Sequence, residues 1–168
     1  MLFRSGTPDV PLFDALRAAS KGIPLVNQFH WRDWDHHWSV ESCQARPKMG
    51  GFRTVFDFAD NPTMPRSQML APSEFAKLEK PPTDPDLITP WQLIKNLRAI
   101  AHTSESYLHQ VSPESLNAEG QAVFGDIQAL NALSHYYASK IESATHLAFY
   151  SETEKTEHHT MAVESLVD

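Results

Sequence analysis

The residues best suited to chemistry lie close together: positions 30–38 read HWRDWDHHW, with three of the chain's four tryptophans and three of its nine histidines. Each tryptophan offers a broad apolar face and one N–H donor, so Trp31, Trp34 and Trp38 among His30, Arg32, Asp33, Asp35 and His37 have the make-up of a stacking surface with polar clamps. Such a surface suits a sugar ring. The simpler alternative is an aromatic loop packed over a core. Glycoside hydrolysis needs two carboxyl groups about 5 to 10 Å apart across the scissile bond. Asp33 and Asp35 are two positions apart, which on an extended loop puts them on one face. The catalytic candidates are therefore Asp33 and Asp35 as alternatives, with the second carboxylate coming from elsewhere, and the sugar-contacting candidates are His30, Trp31, Arg32, Trp34, His37 and Trp38.

Other chemistries have weaker patterns. If Asp33 caps a helix, His37 and Glu41 fall one turn apart, and His30 or His36 could join them around a metal ion. No HExxH or paired-cysteine spacing supports this, so no metal or cofactor is expected. Cys43 with His36 or His37 as base is a third arrangement, although a lone cysteine is more simply a small buried side chain. His158 and His159 are adjacent and point in different directions on a helix. His102 and His109 read as surface residues, and Tyr136, Tyr137, Phe149 and Tyr150 as packing.

The composition sets outer bounds. The 168 residues are 41% hydrophobic and 21% charged, the balance of a folded globular chain. A formal net charge of −7 with no basic run argues against nonspecific nucleic-acid binding and against an anionic membrane surface. No apolar run approaches the roughly 20 residues of a membrane span. The single cysteine rules out an intrachain disulfide and leaves the redox compartment open. The last residues read as a helix without a stop signal, so the expectation is a piece of a longer protein, whose location the sequence leaves open.

The elements that would position these residues follow from capping and periodicity. Thr7, Pro8 and Asp9 form a helix start for a helix over 8–20, with Leu12, Phe13 and Leu16 inward and Gly22 as its stop. The run IPLVNQF at 23–29 reads as a buried strand, which makes residues 1–60 a partial α/β unit with the aromatic stretch at its strand end, where such folds carry their sites. Residues 39–45 suit a short helix or turn. At 52–58 alternating aromatics favour a second strand over a helix. Seven prolines between 61 and 90 mark a linker over 61–89, interrupted by a short helix at 73–79.

Residues 90–168 then change character. Thr89 and Pro90 open a helix to about 110 with Trp91, Ile94, Leu97, Ala101, Leu108 and Val111 on one face. Ser112 and Pro113 open the next turn. Val123, Ile127, Leu130, Ser134, Tyr137, Ile141, Ala144 and Ala148 mark a helix over 118–150, and Met161, Ala162, Val163 and Leu166 a third over 154–167. The fold class expected is mainly α: a partial α/β unit followed by an antiparallel helical bundle, through which self-association is open.

This order of parts, together with the stretch NAEGQAVFGDIQALNALSHYYASKIESATHLAFY, resembles the end of a bacterial barrel glycoside hydrolase of the α-glucuronidase type, in which a helical domain follows a (β/α)8 barrel. The resemblance implies a polysaccharide-acting parent, an oligo- or polysaccharide partner, and a fragment inactive by itself. It supplies no catalytic residue. The competing class is a non-enzymatic helical binding module with the tryptophan stretch as its recognition edge.

Overall fold

A computed structural model describes residues 10–31 and 54–167. Among these residues the regular structure is helical: α1 (Val10–Ala19), α2 (Gly22–Phe29), α3 (Val55–Asp60), α4 (Pro72–Ala76), α5 (Pro90–Leu108), α6 (Ala118–Thr153) and α7 (Thr156–Glu164), with a 3-10 turn at Pro113–Ser115. The long helices fall where capping and periodicity put them. Thr89 Oγ1 accepts from the Gln92 N–H at the head of α5, and Asn117 Oδ1 accepts from the Gly120 N–H at the head of α6.

Among the described residues the N-terminal α/β unit is not present. The run expected as a strand at 23–29 is helix α2, and Val55–Asp60, which covers most of the second expected strand, is helix α3. A short apolar run bounded by turns fits a strand or a buried helix equally, and tertiary packing decides. Here Val26 and Phe29, three apart on one helical face, are both buried. Pro24 is the third residue of α2, where its missing N–H has no intrahelical partner to lose. At α3, Thr54 and Asp57 form a reciprocal cap: Thr54 N–H donates to Asp57 Oδ2 at 2.8 Å, and Asp57 N–H to Thr54 Oγ1 at 3.3 Å. That box fixes a helix start that the phenylalanine alternation had masked.

Gly22 opens α2 and does not close α1, which ends at Ala19. A Cβ at Gly22 would run into Ser134 Oγ on α6, so glycine permits the close approach of the two helices there.

The described residues form two compact units, and α2, α5 and α6 contribute to both. The first comprises Met1–Pro24 and Asn96–Tyr136. Its core joins Leu12, Ala15 and Ala19 of α1 to Leu108 of α5, to Val111 just after it and to Ile127 of α6, with Leu16, Tyr107, Leu116, Val123, Phe124 and Leu130 around them. Ser104 of α5, fully buried, donates to the Ala15 carbonyl at 3.0 Å and ties the two helices together.

The second unit comprises Leu25–Lys95 and Tyr137–Asp168. The proline-rich segment folds back on itself here. Leu70 N–H donates to Ile88 O and Ile88 N–H to Gln68 O, a single parallel bridge that buries Met69 and Ala71. In the same unit α7 runs antiparallel to the end of α6, and Ser143 Oγ donates to the Ala162 carbonyl at 2.6 Å. Of the apolar residues expected to face inward on the last helix only Ala162 is buried; Met161, Val163 and Leu166 are exposed. No described helix is long and apolar enough to cross a membrane.

The Gly22 approach generates a double-mutant test. Gly22→Ala should destabilise by about 1 to 3 kcal/mol, because overpacking outweighs the gain in helix propensity. Adding Ser134→Ala removes the colliding oxygen and should recover most of that loss. Urea unfolding of the three variants measures both terms and their coupling.

Candidate functional site

The structure describes the first two residues of the aromatic stretch. His30 continues the last turn of α2, its N–H donating to Val26 O at 2.9 Å. Trp31 N–H then donates to Pro62 O at 3.0 Å, and Met64 N–H to Gln28 O at 2.7 Å, so the tip of α2 is held against the segment that follows α3. The His30 side chain is 6% exposed and stacks on Phe58 of α3, centroids 4.1 Å apart and planes within 10°. The Asn61 amide nitrogen lies 3.1 Å from its Nε2 and 3.4 Å from its Nδ1. Donation from that amide requires the accepting ring nitrogen to be unprotonated.

Phe58 is the hub of this cluster. Besides His30 it carries Tyr137 at 6.1 Å between centroids, and the Lys140 ammonium lies 4.6 Å from its centroid. Lys140 is only 4% exposed. A buried ammonium loses hydration, and the negative face of the ring returns part of that loss. His30 is thus a buried packing residue at the base of the aromatic stretch, and Trp31 is half-buried beside it. Arg32, Asp33, Trp34, Asp35, His37 and Trp38 lie outside the described residues, as do His36, Glu41 and Cys43.

A second aromatic and imidazole cluster has no counterpart in the sequence reading. His146 on α6 and His158 on α7 face each other with their Nδ1 atoms 3.1 Å apart. Trp91 at the head of α5 meets the His146 ring edge to face at 5.0 Å, and Phe149 stacks on His158 at 5.1 Å with planes 20° apart. Phe75 of α4 closes on Phe149 in a T-shaped contact at 5.7 Å. His159 turns away toward Tyr150, as adjacent helical positions require. Burial holds the His146 imidazole below its ordinary pKa; the neighbouring His158 acts in the same direction and Glu142 opposes them.

The signal that could have revealed this pair is the chain reversal at Glu154, which takes a left-handed backbone (φ 55°) and brings α7 back along α6. Glycine is the usual residue at such a helix end, and its absence hid the turn. Among the described residues no group of three or more histidine, cysteine, aspartate or glutamate side chains is arranged to hold a metal ion. His102 and His109 are exposed. No protein-family model, curated protein or solved structure matches the chain.

Phe58 should be the most costly single truncation in this cluster. Phe58→Ala removes the ring on which His30 stacks and over which Lys140 lies, and should cost about 3 to 5 kcal/mol as a large-to-small core change. Denaturant unfolding measures it, and a loss below about 1 kcal/mol would show that the cluster contributes little to the fold.

Proposed function

We propose that this chain is the carbohydrate-contacting helical part of a polysaccharide-acting protein, with residues 31–38 as the contact and His30 as their packed base. One observation carries the reading: three tryptophans lie within nine positions, interleaved with Arg32, Asp33, Asp35 and His37. A sugar ring needs an apolar face beneath it and hydrogen-bonding groups at its edge, and this stretch supplies both kinds. Its first residues are anchored, since His30 is packed on Phe58 and Trp31 is bonded to Pro62. In this reading Trp31, Trp34 and Trp38 stack, Arg32 and His37 bond to hydroxyl groups, and Asp33 or Asp35 supplies one carboxylate of a hydrolytic pair completed from elsewhere.

A second reading, a non-enzymatic interaction module, is favoured by the helical character of the described residues and by the exposed Met161, Val163 and Leu166 near the end of the chain. Glycan binding separates the two. Calorimetric titration of the full chain with soluble xylan, glucomannan and β-glucan oligosaccharides should detect binding to at least one. Trp34→Ala should weaken that binding by about 1 to 3 kcal/mol, the loss of most of one large apolar contact, and change fold stability by less than about 1 kcal/mol. If tryptophan 34 were core, the same variant would lose about 3 to 5 kcal/mol of stability. Absence of binding to every glycan, or unchanged affinity in single alanine variants of all three tryptophans, overturns the carbohydrate reading.

A further inference from the structure

We propose that the His146–His158 contact is an acid-released latch that holds α7 against the end of α6. The two Nδ1 atoms are 3.1 Å apart, a hydrogen-bond distance that requires one ring to donate and the other to accept. Protonating both rings replaces that bond with two N–H donors facing each other and two positive charges at close range. The aromatic surroundings sharpen the choice. Trp91 and Phe149 flank the pair with apolar rings, which exclude water from part of each imidazole without providing an anion.

On α6, Glu142 lies one turn before His146 and favours its protonation; from α7 the titratable group acting on His146 is His158 itself. The charged or titratable neighbours of His158 on its own helix are Lys155 at the N-cap and Glu157, both exposed, and His159, which is turned to Tyr150. Trp91 of α5 and Phe75 of α4 bring no charge. Burial outweighs Glu142, so His146 takes up a proton less readily when α7 is docked than its ordinary value of 6.5 implies.

The sign follows from linkage. Because the docked state binds fewer protons than the undocked state, the latch is fully engaged above pH 6.5. It weakens as pH falls below that value and levels off once the docked imidazole is itself protonated. Besides the histidine pair, α7 is held by buried Ala162, by the Ser143 hydroxyl bond to its carbonyl, and by the ring contacts of His158 with Phe149 and of His159 with Tyr150. Undocking would uncover Ser143 and the ring face of Phe149, so the released state differs from the latched one in exposed surface as well as in charge.

Amide hydrogen exchange on the full chain tests this, expressed as protection factors so that the intrinsic pH dependence of exchange drops out. On going from pH 7.5 to pH 5, amides of α7 should lose protection by about threefold or more, while those in the middle of α5 keep theirs. Parallel loss in α5 and α7 would mean general acid unfolding and would overturn the latch, as would unchanged protection in α7. His146→Phe keeps an aromatic ring without a titrating group, and His146→Asn keeps a side-chain N–H donor; both should abolish the pH response of α7. A response that persists in a folded variant rules the mechanism out. Independently of any variant, an NMR titration of the unmodified protein should show His146 titrating below 6.5; titration at or above that value removes the driving force.

Discussion

Close helix packing obliges every hydroxyl that it buries to find a carbonyl, and this fold is built around that obligation. Ser104 bonds to Ala15 O, Ser134 to Leu130 O, Ser143 to Ala162 O and Thr145 to Ile141 O, all at 3.0 Å or less and all from side chains that are buried. Two of these bonds cross from one helix to another and two fold back on their own helix. Small side chains bring backbones near enough for such bonds to form, and an unpaired buried hydroxyl would cost about 1 to 3 kcal/mol. Among the described residues the Ser67 hydroxyl is the exception, and one buried amide oxygen, Asn131 Oδ1, likewise lacks a partner.

The same small residues explain how a helix as long as α6 serves two cores. Within the first unit Ile127 and Ser134 face inward; within the second Tyr137, Ile141, Ala144 and Ala148 continue the stripe. Glycine on α2 and serine on α6 share one crossing where neither could grow. In the second unit the partners change from aliphatic to aromatic. Phe58 gathers His30, Tyr137 and Lys140, and Phe149 gathers Phe75 and His158, so imidazole and ammonium groups lie against ring faces.

What could be read from the sequence depended on how much of the signal was local. The faces of α5 and α6 were legible because long amphipathic repeats leave little choice: Ile94, Leu97, Ala101, Leu108, Ile127, Ile141, Ala144 and Ala148 are buried as their spacing requires. The run at 23–29 was not, since seven residues of mixed apolar type satisfy either period, and only the packing of Val26 and Phe29 settles it. The last helix was located but its inward face was overestimated, with Ala162 alone buried. Of the candidate sugar site, the description reaches His30 and Trp31, and burial of His30 against Phe58 could not be foreseen from the histidine and tryptophan pattern. The His146 and His158 pair was hidden because it depends on a chain reversal at a non-glycine residue.

The contacts that tie α7 to α6 and α5 to α1 differ in how far apart in the chain they lie. Ser143 meets Ala162 across 19 residues and His146 meets His158 across 12, whereas Ser104 must find Ala15 across 89. Closing the longer loop costs about 2 kcal/mol more in chain entropy than closing the shortest. The helical hairpin of α6 and α7 therefore closes at the lower entropic cost, and joining α1 to α5 is the more expensive closure. The cheaper closure thus lies at the C-terminal end of the chain, the part that is made last.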